Sequence, residues 1–195
     1  MKFLTIADAS EATVREKMSR FLAFAHPAAD VQEAKAIIAR YTNEYHDARH
    51  VCWAYMTGAD RSVWQLSDNG EPSGTAGKPI LGQINSYGLT NVVIVVVRYF
   101  GGIKLGTPGL IAAYREAARQ ALEAATIVEG REMAELHIAF AYLAMNDVMK
   151  IVKSFPEAKI TAQDFDNACT MALSLPLDLA ADLTARLSPH ATISE

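Results

Sequence analysis

Cysteine, long apolar runs and an excess of positive charge are all missing from this chain of 195 residues. Two cysteines, Cys52 and Cys169, are too few for a disulfide framework or a cysteine-rich zinc cluster, and they favour a reducing compartment. The longest unbroken apolar run, residues 138–145, has eight residues, well below the roughly 18 of a transmembrane helix. The N-terminal apolar stretch is too short for a signal peptide and ends at Asp8, so we expect a cytoplasmic protein that makes no contact with a membrane.

Acidic residues outnumber basic ones, 22 to 18, which gives a net charge of −4. The excess lies in residues 133–195, which hold 8 acidic and 4 basic residues, whereas residues 1–132 hold 14 of each. A basic nucleic-acid-binding domain is strongly cationic as a whole, and this chain is not. Any contact with nucleic acid must therefore be a local patch. Because 51% of the residues are apolar, a packed core is expected and intrinsic disorder is excluded.

Glycine is absent before residue 58 and after residue 130, and nine of the eleven glycines fall between Gly70 and Gly109. Glycine adopts positive φ angles and lets the backbone approach a ligand closely. The cluster therefore indicates either a tightly turned functional surface or close packing between helices and a sheet.

Apolar periodicity in the first two thirds of the chain predicts a mixture of strands and helices. Asp30 is a favourable N-cap for a helix over 31–44, and Thr107-Pro108 predicts an N-cap followed by proline at the first helical position. A strand over 51–57 should place Cys52, Ala54 and Met56 on one face. The predicted strands are 13–17, 21–26, 51–57 and 91–99, and the predicted helices are 31–44, 75–86 and 108–125.

The last third changes character, since it is acidic and has no glycine after Gly130. Its pattern predicts strand 135–140, helix 145–154, strands 159–165 and 169–175, helix 177–187 and strand 191–194. This β-α-β-β-α-β order is typical of a ferredoxin-like domain. We therefore predict an α+β protein of two domains, residues 1–131 and 132–195, joined near residues 129–131.

Two glycine-rich segments, residues 67–79 and 98–107, carry the strongest chemical signal. Each places glycines, hydroxyls and a lysine at a predicted helix N-terminus, where exposed N–H groups and the helix dipole favour phosphate or carboxylate. Alternatively, the glycines only turn corners and permit close packing. Tyr99 beside Arg98 could stack on bases, whereas core packing is expected for Phe100. The candidate residues for binding an anion or nucleic acid are Lys78, Arg98, Lys104, Thr107, Gly74, Gly77, Gly101, Gly102 and Tyr99.

Established nucleotide-binding and catalytic motifs do not fit. Gly101 and Gly106 match the glycine spacing of a P-loop, but Thr107 stands where its lysine must be, so no nucleotide cofactor is expected. Ser73 does not fit the nucleophile elbow of an esterase. In an enzymatic alternative, Asp68 and Glu71 could act as acid and base on a small anionic substrate, although turn aspartates usually bind their own backbone.

His46 and His50 have the spacing of a zincin motif, which binds metal only when both histidines lie on one helix. Here the helix is predicted to end before His50, so we expect no metal site. Cys52 could pair with His50 as a nucleophile, but a lone cysteine in a strand is more often a small buried hydrophobe.

The two glycine-rich segments, Phe21 after Ser19-Arg20, and the run His46-Asp47-Ala48-Arg49-His50 closely resemble the IMPACT family, whose bacterial branch is called YigZ. The resemblance extends over essentially the whole chain. It implies an N-terminal domain similar to the second domain of a ribosomal small-subunit protein and to domain four of elongation factor G. It also implies a ferredoxin-like C-terminal domain similar to domain five of that factor. Where the family usually has glycine, this chain has Pro108, which removes one N–H that could face an anion.

Eukaryotic members of that family are similar to translation regulators, so the resemblance implies a non-enzymatic protein that binds RNA, the ribosome or a translation-linked partner. Two alternatives remain at this point. One is the enzyme that acts on a small anionic substrate in a groove between the two glycine-rich segments, residues 67–79 and 98–107. The other is a protein–protein adaptor that docks through its acidic C-terminal domain.

Overall fold

Residues 1–166 and 168–194 are described by a computed structural model. They form a mixed α+β fold, in which the described residues contain five α-helices and eleven strands in three sheets. The chain divides into two compact units. The first unit is Lys2–Gly130, and the second consists of Met1 and the chain from Arg131 onwards.

The first unit contains three helices and the first seven strands. The strands are β1 (Lys2–Ile6), β2 (Ser10–Glu16), β3 (Ser19–Pro27), β4 (His50–Thr57), β5 (Val63–Ser67), β6 (Val92–Tyr99) and β7 (Ile127–Arg131). The helices are α1 (Val31–Glu44), α2 (Gly77–Ser86) and α3 (Gly106–Glu123).

A five-stranded sheet in the order β2-β3-β6-β4-β5 forms the centre of this unit, with antiparallel neighbours. Its middle strand, β6, is buried on both faces because helices cover both faces of the sheet. Alternate side chains of a strand point to opposite faces. Val92, Ile94 and Val96 therefore pack with α2 and α3, and the valines between them pack with α1. Strands β1 and β7 pair separately in a two-stranded sheet.

The second unit contains the last four strands and two helices. Their order is β8 (Met133–Phe140), α4 (Met145–Lys153), β9 (Lys159–Asp164), β10 (Cys169–Pro176), α5 (Leu177–Leu187) and β11 (Ala191–Ser194), with a short 3-10 helix at Tyr142–Ala144. The sheet order is β11-β8-β10-β9, again antiparallel. Alternate residues of β8 and β10 pack with α4 and α5 to form a separate core.

Several sequence predictions are confirmed. Asp30 caps α1, and its carboxylate accepts a hydrogen bond from the Glu33 N–H at 2.8 Å. Cys52, Ala54 and Met56 share one face of β4 and belong to one core cluster. The buried strand β6 and every predicted helix and strand of the last third are present, with boundaries that shift by no more than two residues.

Other predictions need correction. Thr107 is not an N-cap, because α3 begins at Gly106, and Pro108 is its third residue. Gly106 has a φ of +72°, which glycine tolerates and a residue with a side chain rarely does; the entry into α3 is made by glycine rather than by a hydroxyl cap. Lys17 is not in a strand. With Met18 it forms the β2–β3 turn at positive φ.

Three strands are missing from the sequence predictions: β1, β5 and β7. All three are short, and most of their side chains are not buried, so they lack the apolar alternation of a half-buried strand. The segment 129–131, predicted as a joint, lies within β7. No helix within the two described stretches is long and apolar enough to cross a membrane.

We expect a fragment of residues 1–131 to fold by itself, because it retains β1 with its partner β7 and the whole core of the first unit. Circular dichroism and urea unfolding of the fragment should give a folded spectrum and a cooperative transition. The full chain is the control. A random-coil spectrum for the fragment would place the domain boundary elsewhere.

Candidate functional site

A buried ion pair joins the two glycine-rich segments. Arg98 lies on β6 and Glu71 lies in the turn that leads to α2, and Arg98 Nη1 donates to Glu71 Oε1 at 2.6 Å. The two side chains are only 7% and 3% exposed. Tyr114 of α3 donates its hydroxyl to the same Glu71 oxygen at 2.7 Å, and Arg98 Nη2 donates to Ser19 Oγ at 3.4 Å. These hydrogen bonds therefore connect β3, β6, α3 and the turn before α2 at one cluster of side chains.

His50 completes this cluster from the neighbouring strand, because it is the cross-strand partner of Arg98 in β4. Its Nδ1 lies 2.7 Å from the carbonyl oxygen of Asn69. A carbonyl oxygen can only accept a hydrogen bond, so Nδ1 carries a proton. The other ring nitrogen, Nε2, lies 3.7 Å from Glu71 Oε2, and no hydrogen bond fixes it within the described residues. In the neutral ring Nε2 then carries the lone pair, so His50 can accept a hydrogen bond there.

Cys52, two residues further along β4, is buried, and its Sγ donates to the carbonyl oxygen of Asp68 at 3.0 Å. Burial raises the pKa of the thiol to about 12, and the nearby Glu71 and Asp68 carboxylates act in the same direction. A thiol with this pKa is not a nucleophile near neutral pH. The environment of Cys52 is that of a small core residue.

Asp68 holds the first glycine-rich segment in place. Its carboxylate accepts hydrogen bonds from the N–H groups of Gly74, Ala76 and Gly77 at 2.8, 3.1 and 2.8 Å. Burial alone would raise the pKa of Asp68, but these backbone hydrogen bonds outweigh it and hold the pKa below its ordinary value. The N–H groups of Gly74 and Gly77 are therefore already occupied by an internal anion.

A cavity of about 560 Å³ opens beside the ion pair. The sequence candidates Arg98, Lys104, Thr107 and Glu71 all line it. Further lining residues are Arg49, His50, Pro72, Phe100, Leu105, Gly106 and Leu110. The cavity thus lies between the turn that carries Glu71 and the first turn of α3, at which no side chain of the described residues caps the helix.

The other charged candidate, Lys78, is not brought to this cavity. Lys78 and Gly74 line a different cavity of about 360 Å³, together with Arg115. Of the three charged candidates, Arg98 and Lys104 therefore line one cavity and Lys78 lines another. Gly77 lies against Leu66, where a Cβ would come within 2.8 Å of Cδ1.

The remaining candidates, Gly101, Gly102 and Tyr99, have backbone conformations or contacts that belong to the fold. A Cβ on Gly101 would overlap the backbone of Met18, so this glycine permits close packing against the β2–β3 turn. Gly102 is exposed at a φ of +89°. The Tyr99 hydroxyl donates to Asp47 Oδ1 at 2.9 Å, and the Arg20 guanidinium lies 4.9 Å from the Tyr99 ring centroid.

Core packing was expected for Phe100, and this is wrong. Phe100 is 42% exposed and lines the cavity, with the Arg98 guanidinium carbon 5.6 Å from its ring centroid. It follows the last residue of β6, where the sheet no longer covers the side chain. The exposed ring provides an aromatic wall for the cavity.

Sequence reasoning missed Arg49, Tyr114 and the part that His50 plays in the cavity. For His50, the signal that could have revealed its place in the cavity is the register between β4 and β6, which places it opposite Arg98. His46 lies apart, beyond the end of α1, with its Nδ1 3.2 Å from the carbonyl oxygen of Asn43. Across residues 1–166 and 168–194, no three His, Cys, Asp or Glu side chains are arranged to hold a metal ion.

The family model of the Impact N-terminal domain matches residues 17–122, a stretch that contains every residue lining the cavity. The chain belongs to the IMPACT family. IMPACT family member YigZ of Escherichia coli (strain K12) is 36% identical over 174 residues, which are 88% of this chain and 85% of that protein. IMPACT family member YvyE of Bacillus subtilis (strain 168) is 36% identical over 140 residues, which are 72% of this chain and 64% of the relative.

The same fold is found in a crystal structure of a hypothetical protein, with a TM-score of 0.76 and a sequence identity of 32%. The superposition includes 98% of this chain and 96% of the chain in that structure. Since the likeness extends over nearly the whole of both chains, the two-domain α+β architecture is common to this IMPACT family chain and that structure.

Replacing Glu71 by glutamine should destabilise this IMPACT family protein strongly, because it leaves the buried Arg98 charge without its counter-ion. Removing one partner of a buried pair costs about 3–5 kcal/mol. Glu116→Gln is a matched control, since its pair with Arg119 is exposed and such pairs contribute about 1 kcal/mol or less. Urea unfolding measures both changes. Equal losses in the two variants would contradict a stabilising role for the buried pair.

The free energy of unfolding should fall as the pH rises from about 9 to about 12, because the unfolded Cys52 thiol loses its proton near its ordinary pKa of 9.0 while the folded thiol holds it to about 12. Below pH 9 this contribution is fully present. Urea unfolding at several pH values should show a weaker alkaline loss for Cys52→Ala than for the natural chain. Identical pH dependence in the two proteins would show that the Cys52 thiol does not cause the alkaline loss of stability.

Proposed function

We propose that this IMPACT family protein is a non-enzymatic RNA-binding protein that acts on translation, at the ribosome or with a translation-linked partner. The observation that carries the proposal is the cavity beside the buried ion pair. Arg49, Arg98 and Lys104 line it, and Glu71 is the single acidic residue among the described residues of its lining. Positive charge of this kind, on one concave surface, is what phosphate groups require.

The distribution of charge supports a local contact rather than a cationic domain. The whole chain carries a net charge of −4, with the acidic excess in residues 133–195, so no general positive charge attracts RNA to it. Because Glu71 and Arg98 neutralise each other, Arg49 and Lys104 leave the cavity with two uncompensated positive charges. Interactions between exposed charges are screened beyond about 10 Å at 0.1 M salt, so these nearby charges dominate the attraction that an RNA phosphate would feel.

The aromatic wall supports a single-stranded ligand. Phe100 is exposed beside the Arg98 guanidinium, and aromatic rings with arginine bind unpaired bases by stacking, without strong sequence preference. We therefore propose contacts to phosphates and stacked bases rather than readout of base edges.

The domain types that we propose are those implied by the family resemblance. The second unit has the element order β8-α4-β9-β10-α5-β11, which supports a ferredoxin-like domain. For the first unit we propose the fold of the second domain of the ribosomal small-subunit protein and of domain four of elongation factor G. Both assignments are consistent with a protein that acts in translation, although fold alone does not determine function.

The enzymatic alternative is favoured by one observation, the orientation of His50. Its Nδ1 is fixed by the Asn69 carbonyl and His50 lines the cavity, an arrangement suited to a general acid or base. In that alternative His50 takes the part first assigned to Asp68 or Glu71. Asp68 is occupied by backbone N–H groups, and Glu71 is bound by Arg98 and Tyr114.

Lys104→Ala should weaken RNA binding about equally across sequences and flatten the dependence on salt. Each contact between a lysine and a phosphate of a single strand contributes about −0.7 to the slope of log K against log salt. Lys78→Ala is a matched control, because Lys78 is also an exposed lysine after a glycine-rich turn but lines the other cavity. Fluorescence polarisation with short single-stranded RNAs at several salt concentrations measures both effects.

If neither variant changes the RNA affinity or the slope of log K against log salt, the cavity is not part of the RNA-binding site. No RNA binding by the natural chain would contradict the proposed function. Shortening or dephosphorylation of the RNA during incubation would favour the enzymatic alternative instead.

A further inference from the structure

The wall of the cavity includes a buried arginine that keeps one hydrogen-bond donor unpaired within the described residues. Arg98 is 6% exposed, and its Nε has no hydrogen-bond partner among the described residues. Its Nη1 and Nη2 donate to Glu71 and Ser19. A buried guanidinium N–H without an acceptor is unfavourable, and Arg98 lines the cavity. The Nε atom is itself enclosed by the protein, so Arg98 presents a guanidinium surface to the cavity rather than a free N–H.

The charges around the cavity suit a dianion at one phosphorus atom. Because Glu71 neutralises Arg98, Arg49 and Lys104 contribute two positive charges that no ion pair among the described residues compensates. A phosphodiester within an RNA strand carries one negative charge. A terminal phosphate monoester carries about −1.5 to −2 near pH 7 and has three acceptor oxygens. The monoester therefore matches this charge better than the diester does.

The size of the cavity and its apolar wall indicate that the ligand carries a second, apolar group beside the phosphate. A volume of about 560 Å³ lies within the range of roughly 300–1,000 Å³ for small-molecule sites. Phe100, Leu105 and Leu110 supply apolar surface beside the cations. A flat base can stack on the exposed Phe100 ring while the phosphate lies against the cations.

We propose that this cavity binds a nucleotide through its terminal phosphate monoester, either at the end of an RNA strand or as a free mononucleotide. The proposal rests on the proposed RNA-binding function and names the part of the RNA that the cavity takes. Lys104 and Arg49 bind the phosphate beside the buried Arg98, and Phe100 stacks on the base.

The test compares short RNAs of one sequence with a 5′-phosphate, a 3′-phosphate or only hydroxyl ends, together with AMP and adenosine as competitors. At about pH 7.5 the monoester is mostly a dianion. We expect at least one phosphorylated end to bind about tenfold more tightly than the hydroxyl ends, which is about 1.4 kcal/mol. AMP should compete and adenosine should not. Which of the three phosphates binds most tightly identifies the source of the nucleotide.

Variants connect the effect to the cavity. Arg98 is part of the folded core, so the test uses the exposed residues Arg49 and Lys104. Arg49→Ala and Lys104→Ala should each reduce the advantage of the phosphorylated end several-fold, and Lys78→Ala should retain it. Phe100→Leu should weaken binding of AMP more than binding of ribose 5-phosphate, because only AMP carries a base to stack.

The outcomes separate the two proposals. RNA that binds equally well with and without a terminal phosphate, yet depends on Lys104, would overturn the end-recognition proposal and leave RNA binding intact. Binding of AMP without binding of RNA would support the nucleotide site and contradict the proposed function. An advantage of the phosphorylated end that survives in both Arg49→Ala and Lys104→Ala would overturn the assignment to this cavity.

Discussion

The ion pair between Glu71 and Arg98 is the contact on which the rest of the first unit depends. A buried pair stabilises only when its remaining donors and acceptors are also satisfied. Here Tyr114 from α3 and Ser19 from β3 supply two of those partners. The pair therefore fixes where α3 and the turn before α2 lie on the sheet, and this placement creates the cavity between them. The cost of burying two charges is consistent with a position that serves binding as well as stability.

The positions of β6, α1 and the helices of the second unit could be predicted from the sequence because their signals are local. Six consecutive apolar residues ending at Val97 indicate a strand covered on both faces, and Asp30 marks the start of α1. The short strands β1, β5 and β7 could not be predicted in this way. They form because partners distant in the chain, such as β1 and β7, supply the hydrogen bonds, and a single sequence contains little trace of such pairing.

The candidate site shows the same division between local and distant information. Glycine and lysine at helix starts singled out both segments, and Arg98, Lys104, Thr107 and Glu71 do meet at one cavity. The sequence could not reveal that Lys78 points to a different cavity, nor that Phe100 leaves the core as β6 ends. Both depend on the angles at which chain segments leave the sheet. His50 joins the cavity only through the cross-strand register with Arg98.

Asp68 makes the two glycine-rich segments unequal despite their similar composition. In the first segment, the carboxylate of the protein itself takes the backbone N–H groups of Gly74, Ala76 and Gly77, much as a bound phosphate would. In the second segment, α3 begins without a side-chain cap in the described residues, and its first turn opens on the cavity. A carboxylate of the protein itself thus binds the N–H groups of the first segment, whereas no side chain of the described residues caps the helix that follows the second. If the proposed ligand binds, this asymmetry predicts one bound anion per chain rather than two.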